Sequence, residues 1–109
     1  MEKKIIAILK DLGIPMGNLG FKYIKDAITL TAENEDLMRS MTKPDGLYNL
    51  VAKKHHSTIQ RVERSIRHAV EYCSRHCDTD TIQKYFGNVG TTKLTNRNFI
   101  AALVYAVRE

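Results

Sequence analysis

Three arginines and two glutamates are interleaved in "RVERSIRHAVE", from Arg61 to Glu71. A guanidinium can donate paired hydrogen bonds to guanine O6 and N7 or to phosphate oxygens, and a carboxylate can accept one from cytosine N4. The chemistry open to such a set is recognition of a polyanion. Two other chemistries deserve a hearing. Cys73, His76 and Cys77, with His68 and the pair His55 and His56 in the same region, are ligand types that zinc takes. Yet the two cysteines stand four apart in a helical apolar pattern with no C-x2-C pair, and cysteines are commonly buried as small hydrophobes. Neither a metal nor another cofactor is expected. Catalysis has no foothold either: there is no glycine-rich phosphate loop, HExxH or nucleophile elbow, and Tyr23, Tyr48, Tyr72, Tyr85 and Tyr105 are dispersed. An enzyme with a small-molecule substrate is therefore not expected.

Charge distribution supports the polyanion reading. Lys53, Lys54, Arg61, Arg64, Arg67 and Arg75 face only Glu63 and Glu71 between residues 53 and 75, so this stretch carries +4 of the net +5. Basic charge gathered on one element is the footprint of a nucleic-acid reader, whereas scattered charge speaks only to solubility. At 109 residues, 43% apolar and 27% charged, the chain has the size and composition of one globular domain. It holds no apolar run of bilayer length, and two cysteines are too few for a secreted disulfide framework. A soluble cytoplasmic protein with no membrane partner is the expectation.

The elements that must position these residues read as helices throughout. Ile5, Ile8, Leu9 and Leu12 form a first stripe closed by Gly13 and Pro15; Phe21, Ile24, Ala27 and Ile28 form a second. Asn34 caps a short segment with Leu37, Met38 and Met41, which either stands alone or continues the second helix with a bend. "TKPDG" breaks the chain at residues 42–46. Leu47, Leu50 and Val51 begin a helix running through Ala52 to about His55, and Ser57 or Thr58 caps the next. Asp78 or Thr79 caps a short helix with Ile82, Tyr85 and Phe86, and Thr95 caps a last one packed through Phe99, Ile100, Leu103, Val104 and Val107. The expected fold class is all-α, a compact bundle of about six helices.

At 100° per residue, Ile59, Val62, Ile66, Ala69, Val70, Cys73 and Cys77 fall within a sector of about 100°. Ser57, Gln60, Arg61, Arg64, Arg67, His68, Glu71 and Arg75 lie on the other side, and Glu63 sits at the stripe's edge. A solvated face laced with i,i+4 pairs would explain this much, since Glu63–Arg67, Arg67–Glu71 and Glu71–Arg75 are all correctly spaced. Context favours more. Ala52 precedes Val62 by ten residues across a short turn, the spacing of a helix-turn-helix at about 47–76. Four residues after the alanine, where many such motifs have glycine, stands His56. In that arrangement the first turns of helix 58–76 enter the major groove with Arg61, Glu63 and Arg64 as base readers. Arg67, His68 and Arg75 lie nearer the phosphates, and the amides near Ser57 and Thr58 form an anion site.

"IAILKDLGIP", "GFKYIKDAITLT", "AKKHHSTIQRVERSIRHAVE" and "YFGNVGTTKLTNRNFIAALV" resemble the C-terminal DNA-binding effector domain of the stage-zero sporulation response regulator of endospore-forming bacteria. The resemblance spans nearly the whole chain, and Arg61–Glu71 carries its most specific part. It implies a winged-helix-like effector domain without a clear wing, binding short boxes of the TGTCGAA type as activator or repressor. It also implies contact with the RNA polymerase sigma subunit, with copies side by side on tandem boxes and a place at the bacterial nucleoid as further expectations. By motif, Arg61, Glu63 and Arg64 are similar to the family's base readers. Lys54, Ser57, Gln60, Arg67 and His68, with Lys53, Thr58 and Arg75 beside them, fall where backbone contacts belong.

Three departures stand out. The chain before Ala52 is about two residues longer, through "KPDG"; the turn reads "HHST" where the family has an aromatic and an asparagine; and the loop "NVGTTKL" is shortened. No receiver domain is expected within residues 1–109, which read as a single domain. The alternative reading is a protein-interaction module that modulates a full-length regulator or RNA polymerase without reading a box.

Overall fold

A computed structural model describes residues 1–87 and 94–109 of the chain; all of the shortened loop expected at 88–94 except Leu94 lies outside them. The described residues form helices α1 (Glu2–Asp11), α2 (Leu19–Glu33), α3 (Leu47–Lys54), α4 (Ile59–His76), α5 (Thr79–Phe86) and α6 (Asn96–Arg108). A 3-10 helix, Glu35–Arg39, lies between α2 and α3, and no strand occurs among the described residues. The radius of gyration is 12.8 Å. No described helix is long and apolar enough to cross a membrane.

Local chemistry sets most of the boundaries, because a side-chain oxygen that satisfies an orphan amide makes a helix start where it does. Thr58 Oγ1 accepts from Arg61 N at 3.1 Å, Asp78 Oδ1 from Thr81 N at 2.8 Å, and Thr95 Oγ1 from Asn98 N at 3.1 Å. Of the two candidates before α4, Thr58 rather than Ser57 is the cap. Asn18 does the same for α2, a cap that the apolar pattern did not reveal. Asn34 decides between the two readings of the segment after α2. Its extended backbone (φ −149°) ends α2, and its Oδ1 accepts from Asp36 N at 3.1 Å to start a separate 3-10 helix.

The core sits around α2, which touches α1, the 3-10 helix, α3, α4 and α6. Gly20 lets α2 and α4 approach closely: a Cβ there would lie 2.7 Å from both Ala69 Cβ and Ser65 O. From α4, Val62, Ile66, Ala69, Val70 and Cys73 are buried, matching the predicted stripe, while Cys77 is half-buried. Burying each of its Val and Ile side chains contributes roughly 1.5–3 kcal/mol, which fixes the rotation of α4 about its axis. The opposite face, with its arginines, is left in solvent as a consequence.

Candidate nucleic-acid interface

The approach to α4 is built by a specific chain reversal. α3 ends at Lys54, and His56 takes a left-handed conformation at φ +52°. Ser57 N donates to Ala52 O at 2.8 Å and His56 N to Lys53 O at 3.4 Å. This paired closure, six residues back to one and five back to two, is a Schellman motif, in which glycine usually fills the left-handed position. His56 therefore occupies the place where the turn wants glycine, and does so in glycine's conformation. Histidine tolerates this region better than most residues with a side chain.

Two contacts from outside the turn hold it. Asp26, on α2 and only 6% exposed, accepts from Lys54 Nζ at 3.2 Å and is hydrogen-bonded through its other oxygen to His55 Nε2. The His55 ring also meets Tyr23 edge-on, with centroids 5.1 Å apart at 68°. On the far side, Asn96 Nδ2 in the first turn of α6 donates to Tyr48 Oη of α3 at 3.1 Å and to Glu63 O of α4 at 3.3 Å. Burial pushes the Tyr48 phenol above its ordinary value, so its oxygen stays protonated in this bridge. The pair α3–α4 is thus clamped from both flanks by side chains far away in sequence.

The predicted site residues divide into groups. Arg61, Arg64, His68 and Arg75 are exposed on one continuous side of α4, and the guanidiniums of Arg61 and Arg64 enter no ion pair among the described residues. Gln60 and Thr58 are exposed at the leading end, and Lys53 and Lys54 are exposed at the end of α3. Glu63 and Arg67 lie apart from this group. The Glu63 carboxylate pairs with Arg67 Nε at 3.6 Å, as the i,i+4 spacing led one to expect, and both line a cleft with Tyr48 and Asn96. Ser57 is placed differently from the expectation: its amide is used by Ala52 O and its hydroxyl is enclosed with no hydrogen-bond partner among the described residues. The free amides of the anion site are accordingly those after Ser57.

The cysteines belong to the core side. Cys73 is buried, and desolvation, with the neighbouring Cys77 adding to it, pushes its thiol up to about 12. Such a thiol is neither a ready metal ligand nor a nucleophile. Among the described residues no three His, Cys, Asp or Glu side chains converge as a metal site would require. Arg75 and His76 occupy the last turn of α4, where positive charge complements the helix dipole.

Sequence reasoning missed Asp26, Tyr48 and Asn96. A carboxylate within the α2 pattern carries no local sign that α3 will cover it, and the partners of Asp26 lie 28 and 29 residues away. What the assembled surface offers is an exposed basic face of α4, in which Arg61 and Arg64 enter no ion pair among the described residues, presented by a turn held from both flanks, an arrangement suited to inserting side chains into a groove. Over residues 5–107 the chain matches the family described as Sporulation initiation factor Spo0A C terminal, a span that begins inside α1 and ends inside α6. The protein therefore belongs to that family of DNA-binding regulatory domains, whose partner is double-stranded DNA.

Proposed function

We propose that this domain is a sequence-specific transcription regulator that lays α4 in the major groove of a TGTCGAA-like box. The observation carrying the proposal is the pair of exposed guanidiniums, Arg61 and Arg64, which enter no ion pair among the described residues and lie in the first turns of α4. Arginines serving only as a solvated, helix-stabilising face would be expected to pair along the helix, as Arg67 does with Glu63. In this reading Arg61 and Arg64 donate to guanine, and Glu63 accepts from cytosine while tethering Arg67. Lys53, Lys54, Thr58, Gln60, Arg67, His68 and Arg75 contact the sugar-phosphate backbone and set the register. Ser57 has a supporting place inside the turn instead.

The family resemblance extends the proposal to control of transcription as activator or repressor, with contact to the RNA polymerase sigma subunit and side-by-side copies on tandem boxes. The experiment that tests the core claim is binding of the purified domain to fluorescent duplexes, one with the box and one scrambled, across a salt series. Sequence-specific readers commonly prefer their site by about 10³-fold or more. Equal and steeply salt-dependent binding to both duplexes would sink the reading and leave the arginine face a source of charge alone. A domain that binds neither duplex would favour the interaction module.

A further inference from the structure

We propose that Asp26 is a positioning residue for DNA reading, holding the α3–α4 turn so that α4 enters the groove at one fixed angle. This rests on the reading of α4 as the helix that contacts DNA. Asp26 touches no position where DNA would lie, since its side chain is 8% exposed beneath the turn. It acts through two neighbours. One carboxylate oxygen holds Lys54, the last residue of α3, at 3.2 Å, and the other holds His55, the residue that ends the helix.

Four features of the arrangement make it more than a staple. A buried carboxylate is costly unless both oxygens are satisfied, so the two bonds restrain each other and the turn's orientation relative to α2. Lys54 remains 63% exposed, and its ammonium has donors to spare for a phosphate while Asp26 aims it. The restraint is applied at residues 54 and 55, directly before the left-handed His56. From there only three residues separate the clamp from the start of α4, and Arg61 and Arg64 lie in its first two turns. A rotation at the clamp would therefore move the guanidiniums, while their charge would stay where nonspecific binding can use it. The His55 ring packs edge-on against Tyr23 while its Nε2 bonds Asp26, so α2 holds the same residue by two contacts.

The variant Asp26→Asn separates positioning from simple charge. Removing a negative charge beneath a DNA-facing lysine should, by electrostatics alone, strengthen binding to box and scrambled duplexes alike. Positioning makes a different demand: the ratio of box to scrambled affinity should fall about three- to tenfold, the scale on which remote residues ordinarily modulate a site. In the DNA-free protein, amide exchange at Ser57, whose N–H closes the turn onto Ala52, should accelerate relative to amides in α6. An unchanged affinity ratio in a wild-type protein that does prefer the box would overturn the proposal. If the wild-type protein shows no preference, the DNA reading fails by itself, and the exchange measurement still decides on Asp26: unaltered Ser57 exchange overturns the clamp. Should Asp26→Asn not fold, His55→Phe keeps a ring against Tyr23 and deletes the Nε2 bond, and is judged by the same two readouts.

Discussion

Replacing Arg64 with alanine isolates base reading from every other property of α4. Arg64 is exposed, pairs with nothing among the described residues, and points almost directly away from the stripe formed by Val62, Ile66 and Val70. Its removal therefore takes away no ion pair or hydrogen bond among the described residues, and the stability should change by no more than a surface substitution allows, about 0.5 kcal/mol. Losing a bidentate guanidinium–guanine pair should cost about 1–3 kcal/mol on the box. At about 1.4 kcal/mol per tenfold, that is roughly a 5- to 150-fold rise in Kd. A phosphate contact would behave otherwise, weakening all duplexes about equally and reducing the slope of log K against log salt by about 0.9. Fluorescence anisotropy on box and scrambled duplexes at three or more salt concentrations reads both quantities. Equal loss on the two duplexes, with a shallower salt slope, would refute the assignment of Arg64 to a base. Glu63→Gln provides the contrast: it releases Arg67 from its 3.6 Å pair, so the loss on the box should be smaller and nonspecific binding should rise.

Other perturbations test the frame behind that face. Val62→Ala deletes buried methyl groups at a fully enclosed position and should cost roughly 2 kcal/mol, a fall of roughly 10 °C in Tm, while box preference measured well below the transition is retained. Gly20→Ala, ordinarily favourable inside a helix, should instead destabilise by about 1–3 kcal/mol in urea unfolding, because its Cβ would press on Ser65 O and Ala69 Cβ. At the left-handed position, His56→Val should lose about 1–2 kcal/mol, and His56→Gly should stay within about 1 kcal/mol of the wild type. The Cys73 thiol, ordinarily near 9.0 and held up to about 12 in the fold, gives a pH signature. Above pH 9.0 the unfolded chain gives up this proton and the folded protein keeps it, so stability falls as pH rises from there toward 12. Urea midpoints should show the decline, and Cys73→Ala should flatten it.

The helices were legible in the sequence because their causes are local. The stripe from Val62 to Cys73 has a period that only one secondary structure can bury on one side, and Thr58, Asp78 and Thr95 supply an oxygen within three residues of the amide each one caps. The arginine face was legible for the same reason, since the buried stripe of a helix determines its opposite. Local rules stop short at residue 34, where pattern allowed either a bend or a break and the extended backbone of Asn34 chose the break. They stop short again at Ser57, which is a plausible cap by type and is instead consumed by closing α3.

Sequence alone determined that this chain is a bundle of helices with one strongly basic outward face, and that "RVERSIRHAVE" carries that face opposite its apolar stripe, because helical period and charge count depend only on neighbours in the chain. Tertiary structure alone decided which charges are free. Lys54 is engaged by Asp26 from 28 residues away, Asn96 joins α6 to Glu63 across 33 residues, and Arg97 and Arg108 are taken up by the 3-10 helix and the end of α2. Each of these pairings depends on two segments being brought together by core packing, a contact that no residue can announce from its own neighbourhood. Arg61 and Arg64 remain available because α4 turns them to the one side that no other described element covers.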